Sequence, residues 1–161
     1  MRLYFVSVLL VALALGPSLA HLLELPNKIG LPAQDYLTVQ QIYRGWAWLG
    51  AILLPALATT LLVALKARTS RPAFTLALVA AACLATMLAV FFVFTYPVNL
   101  ATDNWTILPR GWESLRVRWE YSHAAGALLN FAALVALLGS LFAAVRESAE
   151  ADQVPRGMRR S

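Results

Sequence analysis

Four uninterrupted apolar runs, each about 20 residues long, dominate this chain: Leu3 to Leu23, Gly45 to Leu65, Phe74 to Tyr96 and His123 to Val145. A helix of about 20 residues rises roughly 30 Å, the thickness of a bilayer's hydrocarbon layer. Only helices or closed barrels satisfy every backbone N–H and C=O in lipid. Runs this long exclude the alternating pattern of barrel strands. The expected fold is therefore all-α: an integral-membrane four-helix bundle in one domain over residues 1–146, with a flexible tail over 147–161. Of the 161 residues, 60% are hydrophobic and only 13% are charged.

The first run begins like a secretory signal. Arg2 forms a short positive region, Leu3 to Leu15 the apolar stretch, and Ser18-Leu19-Ala20 a small-x-small site. The apolar stretch continues past that site to Leu23, so retention as a span is expected. Charge sets the orientation. Arg2, Lys66, Arg68, Arg71, Arg146, Arg156, Arg159 and Arg160 fall on one side, and Lys28, Arg44, Arg110, Arg116 and Arg118 on the other. The positive-inside rule then places both termini in the cytoplasm of a multi-pass protein in the plasma or inner membrane. The acids Glu24, Asp35, Asp103, Glu113 and Glu120 neutralise the outer bases, so the net charge of +5 lies on the inner face. It reads as topology and contact with anionic lipid, with no nucleic-acid module in view.

The outer connections, His21 to Arg44 and Pro97 to Ser122, read as two long loops, whereas the inner one is short. All five tryptophans (Trp46, Trp48, Trp105, Trp112 and Trp119) lie at the outer end. So do Tyr36, Tyr43, Tyr96, Tyr121 and both histidines, His21 and His123. An interfacial belt should mark both membrane surfaces. The one-sidedness points instead to an aromatic-lined outer pocket. Asn104-Trp105-Thr106 is also a glycosylation sequon there.

Spacing sorts the polar residues onto faces. Arg116, Glu120, His123 and Asn130 form one stripe of a continuous helix, with Trp112 a turn earlier, and an Arg116–Glu120 pair is expected. Asn130 should face the interior, in the simplest case as interhelical glue. His21, Glu24 and Lys28 share a face of the first helix, as do Gln41, Arg44 and Trp48 before the second. Arg44 suits cation–π stacking or snorkelling to headgroups. Pro97 is expected to end the third helix, with Asn99 opening the outer loop.

Lone Cys83 offers neither a disulfide nor a CxxC redox site. Three chemistries compete with a purely structural polar cap. His21-x-x-Glu24 and Glu120-x-x-His123 have a di-iron ligand spacing, but the other helices add no glutamate, so no metal is expected. Two histidines on separate helices are a haem pattern, but both lie at helix ends. The third chemistry is acid–base work on a flat aromatic. His123 or His21 would be the base, Arg44 or Arg116 the oxyanion partner with Glu120 in support, and Asn99 a further donor. Tyr43, Trp46, Trp48, Trp105, Trp112 and Trp119 would bind the rings.

The segments AHLLELPNKI, Tyr43-Arg44-Gly45-Trp46, the Pro-Val-Asn-x-x-Thr-x-x-Trp of Pro97 to Trp105, and RWEYSHA of Arg118 to Ala124 together resemble the anthrone oxygenase-like family. Span order and spacing fit over roughly residues 5–145. The resemblance implies a small four-span membrane protein that oxidises anthrone-like phenolics with O₂ and no prosthetic group. It assigns no role to any single residue. The competing expectation is a non-catalytic membrane protein that binds a lipid, quinone or protein partner at the same outer site.

Overall fold

The computed structural model describes residues 1–153; the tail beyond Gln153, including Arg156, Arg159 and Arg160, lies outside the described residues. Among the described residues the only regular structure is helical, with no strand. Its elements are α1 (Arg2–Lys28), α2 (Ala33–Gln40), α3 (Gly50–Lys66), α4 (Arg71–Val90), α5 (Tyr96–Ala101) and α6 (Trp112–Gln153). Short 3₁₀ turns at Gln41–Tyr43 and Trp46–Leu49 join α2 to α3.

The long helices pack in a ring, α1 against α3, α3 against α4, α4 against α6 and α6 against α1. Neighbours run antiparallel, as two polar ties at one end establish. The Tyr4 hydroxyl lies 2.8 Å from Ser140 Oγ, which donates to the Ala73 carbonyl at 2.7 Å. One turn along, Ser7 Oγ and Thr60 Oγ1 are 2.9 Å apart. At the opposite end of the ring, His21 meets His123.

The interior between these ends is built from small residues. Ala56, Ala64, Ala73, Ala77, Ala80, Ala127 and Ala133 are buried, with Val11, Val63, Leu84 and Leu137 filling the gaps. Large side chains such as Phe5, Leu54, Leu65, Phe92, Phe131 and Phe142 point outward and are more than half exposed. A water-soluble bundle buries its largest apolar groups. Small residues inside and large ones outside are the arrangement of helices that pack in lipid, where burial gains nothing and close approach gains dispersion. Three helices, Arg2–Lys28, Arg71–Ala101 and Trp112–Ala151, are long and apolar enough to cross a membrane.

The expected second span, 45–65, differs from this picture. Gly45 takes φ 87°, a left-handed value that suits glycine, and residues 46–49 wind as a 3₁₀ turn. The α-helix proper therefore starts at Gly50 and is 17 residues long.

The ends of the helices overrun the expected boundaries. Helix α1 passes through Pro17 and Pro26 and stops at Lys28 rather than near Leu23. Proline costs a helix one backbone bond, and a packed helix face tolerates that loss. Pro97 does not end the third helix either. It lacks the N–H that would bond back one turn. The chain answers with a π-helical turn over Phe91–Thr95, closed by the Tyr96 N–H on the Phe91 carbonyl, and then continues as α5. Helix α6 begins at Trp112, well before His123, and runs on into the expected tail as far as Gln153. The two expected long loops are thus largely helical, and they stand over the His21 end of the ring.

Asn130 is fully buried on α6, as its stripe position requires, but neither its amide nitrogen nor its oxygen meets a protein partner. It is not interhelical glue. An unpartnered buried amide costs about 1–3 kcal/mol, and replacing it by an apolar group of similar shape removes that cost. Asn130→Leu is expected to hold or raise the melting temperature in detergent. A clear fall would mean that the amide is bonded after all.

Candidate functional site

The site sits at the His21 end of the ring, where α1 and α6 present their polar stripes to each other. One turn past His21 comes Glu24, and one more brings Lys28. From α6, Trp119, Glu120 and His123 face the same space. Helix α2 and the 3₁₀ turn after it add Tyr36 and Tyr43 from above.

The two imidazoles stack, with centroids 4.1 Å apart and planes 23° from parallel. His21 is buried and His123 half-buried. Trp119 lies against both, at 5.1 Å from His21 and 4.2 Å from His123. Tyr43 and Trp46 close the other side of His21, at 4.5 and 5.5 Å. The half-buried members, His123, Tyr43 and Trp46, form the accessible edge of the cluster.

Lys28 is the centre of charge. It is only 2% exposed, an extreme value for a lysine. Its ammonium pairs with Glu120 Oε1 at 3.3 Å and Glu24 Oε2 at 3.5 Å, and it donates to the Tyr43 hydroxyl at 2.6 Å. It also lies 4.4 Å from the Tyr43 ring centroid and 5.0 Å from that of Trp119, within cation–π range. The Tyr43 hydroxyl donates in turn to Glu24. Glu120 is fully buried and accepts a 2.7 Å bond from the Tyr36 hydroxyl on the same oxygen that Lys28 approaches. Its other oxygen, Oε2, has no partner, nor has His21 Nδ1.

A second layer holds this cluster in place. Trp119 Nε1 donates to Asn99 Oδ1 at 2.8 Å, a contact made possible because the chain continues helically past Pro97. Asp103, Asn104 and Trp105 all adopt positive φ (46°, 53° and 63°), forming one left-handed turn closed by Thr106 N–H on the Thr102 carbonyl at 3.1 Å. Each such residue costs about 1–2 kcal/mol. The turn drives the Trp105 ring, 2% exposed, edge-on against Tyr36 at 4.9 Å. The sequon residue Asn104 stays exposed.

The expected site residues divide accordingly. His21, His123, Glu120, Tyr43, Trp46 and Trp119 come together. Asn99 and Trp105 support them from behind. Arg116 does not pair with Glu120. Its Nη1 donates to the Leu31 carbonyl at 2.7 Å and its guanidinium lies over Trp112 at 4.6 Å, so Arg116 and Trp112 tie down the chain entering α2. Glu120 turns instead to Lys28 on the facing helix α1, 3.3 Å away. Arg44 is exposed and donates to Gln41 Oε1 at 2.7 Å, away from the cluster. Trp48 is 82% exposed and lines nothing. The cation of the site is Lys28, and Glu24 and Tyr36 join it. The signal for Lys28 and Glu24 was their spacing with His21 on one face, and Tyr36 was in view only as one of the outer aromatics. Among the described residues, no three His, Cys, Asp or Glu side chains converge as a metal-binding group.

Burial pushes the Tyr36 and Tyr43 phenols above the ordinary range, and the neighbouring carboxylates, Glu120 and Glu24, add to the shift. An unfolded tyrosine ionises near pH 10. Above that pH the native protein holds protons that the unfolded chain has lost, so stability falls as pH rises. Each fully protected phenol contributes up to about 1.4 kcal/mol per pH unit. Unfolding in detergent across this range should be flatter for Tyr36→Phe than for wild type. Equal slopes would show that Tyr36 ionises normally.

Comparison of the chain with protein-family models, with curated proteins and with solved structures found no match in any of the three.

Proposed function

We propose that this is a four-span membrane protein with both termini in the cytoplasm and that its outer mouth is an acid–base site. The reaction we assign to it is cofactor-independent oxidation of an anthrone-like phenolic by O₂. The small-inside, large-outside packing and the three long apolar helices support the membrane setting. In this reading the fourth crossing is α3 taken together with the 3₁₀ turn over Trp46–Leu49 that leads into it. The distribution of basic residues supports the orientation.

One observation carries the chemical reading. A half-buried imidazole, His123, stacks on a buried one beside a desolvated ammonium, all within aromatic walls. An anthrone carries an acidic benzylic C–H joined through its rings to a carbonyl. His123, at the accessible edge, takes that proton as general base. The enolate oxygen gains negative charge, which Lys28 offsets in a site of low dielectric, the role first expected of Arg44 or Arg116. Tyr43, Trp46 and Trp119 offer faces for the rings. The electron-rich enolate reduces O₂, and a C–O bond forms at the carbanionic carbon. Loss of the second C–H proton with cleavage of the O–O bond leaves a carbonyl there. The oxygen that departs leaves as water, so one CH₂ and one O₂ give one C=O and one H₂O.

A second reading has its own support. Lys28, Glu120 and Tyr36 bond to one another and are sealed from solvent, as befits a structural cap or a non-catalytic surface for a lipid, quinone or protein partner.

Anthrone-dependent O₂ uptake in detergent, corrected for autoxidation, separates the two readings. The oxygenase reading expects His123→Ala to lower the rate about 10²-fold or more while the protein stays folded. Rates at background for wild type and variant alike would sink the anthrone assignment and leave the cap or binding surface.

A further inference from the structure

Glu120 is the most deeply buried carboxylate of the site, and the oxidation above gives it no part. It is 0% exposed, yet it is the start of a continuous chain of polar contacts to the surface. Glu120 Oε1 pairs with Lys28 Nζ at 3.3 Å. Lys28 donates to the Tyr43 hydroxyl at 2.6 Å, and Tyr43 donates to Glu24 Oε2. The Glu24 side chain is 26% exposed, the wet end of the series. The two final bonds point the same way, each group donating to the next, which is the alignment that a proton relay needs.

The geometry points to a proton path between Glu120 and the outer surface, running through Lys28, Tyr43 and Glu24. In the outward direction, Tyr43 gives its hydroxyl proton to Glu24 and takes one from the Lys28 ammonium. Lys28 then recovers a proton from protonated Glu120. One proton has left Glu120 and one has arrived on Glu24, with Lys28 and Tyr43 returned to their starting forms. Inward transfer is the reverse. Oε1 of Glu120, 3.3 Å from Lys28 Nζ, is the atom that exchanges the proton with the path, while Oε2 has no protein partner.

The other charged and titratable groups around Glu120 do not continue the path. Tyr36, from α2, donates to Glu120 but is fully buried and leads nowhere. Arg116, one turn back on α6, is committed to the Leu31 carbonyl and the Trp112 ring. His123, one turn on, and His21, from α1, stack on each other beside Trp119. The path needs no substrate, although it shares Lys28 and Tyr43 with the proposed oxidation site.

The test is infrared detection of the Glu120 carboxyl after a rapid pH jump, on the full chain in detergent with no substrate. Loss of the band in Glu120→Gln assigns it. If that variant does not fold, a shifted band in Glu120→Asp gives the same assignment. Tyr43→Phe keeps the ring packing but breaks the relay, so exchange at Glu120 should slow by about tenfold or more. Glu24→Gln should slow it likewise. Tyr36→Phe also removes a hydroxyl from Glu120 but lies off the path, so it should shift the band and leave exchange fast. Unchanged exchange in Tyr43→Phe, equal slowing in both tyrosine variants, or no band dependent on residue 120 would each overturn the path. None of these results would bear on anthrone oxidation, which O₂ uptake reports separately.

Discussion

The structure at this end of the molecule depends on an ammonium group held out of water. An unpaired lysine cannot remain charged at 2% exposure. Lys28 remains there because two carboxylates, a phenol and two aromatic faces surround it. Those partners come from four places in the chain: α1, the 3₁₀ turn after α2, and two positions on α6. Satisfying one charge therefore fixes the relative height of α1 and α6, and it holds the 41–43 turn down over the ring. The stacked histidines follow from that register, since His21 and Lys28 are seven residues apart on one face of α1 while Glu120 and His123 are three apart on α6.

The body of the molecule is built on a different principle. Alanines line the interior and let the helices approach closely, so the packed ring needs few polar ties of its own. Its far end has two, Tyr4 with Ser140 and Ser7 with Thr60. Between the ends, Asn130 is a polar group that nothing in the protein satisfies. Polar chemistry thus concentrates at one end of an otherwise apolar scaffold. The strained left-handed turn at 103–105 belongs to the same end, where it presses Trp105 onto Tyr36 and so backs the hydroxyl that reaches Glu120.

Much of this was legible in the sequence. Apolar run length identified the all-helical body and its long apolar helices. Period-3.6 spacing placed Glu120, His123 and Asn130 on one stripe, and the clustering of tryptophans marked the end where the polar cluster assembles. What misled was punctuation. Pro97 read as a stop, but a π turn carries the chain through it, just as α1 runs on through Pro17 and Pro26. Lys28 was in view on the face of His21 and Glu24, but the cation's role was given to Arg44 and Arg116. Pairing rules within a helix then favoured Arg116 with Glu120. The stronger partner lay on another helix, where no local pattern could reveal it. Trp48 and Arg44 share a face with Gln41 only if residues 41–48 form a regular α-helix. Gly45 in a left-handed conformation breaks that periodicity.

The measurement closest to the central claim is a double-mutant cycle between Lys28 and Glu120, read as unfolding free energy in detergent. Lys28→Met and Glu120→Gln each remove one charge of the pair and keep approximate side-chain length. If the two groups stabilise each other across α1 and α6, Lys28→Met should cost about 3–5 kcal/mol, because it strands Glu120 in the interior, and Glu120→Gln less, because Lys28 keeps Glu24. The double variant should then cost less than the sum, with a coupling of about 1–3 kcal/mol. Additivity within about 0.5 kcal/mol would mean that the two groups do not meet, and would contradict the assembly of the site around Lys28.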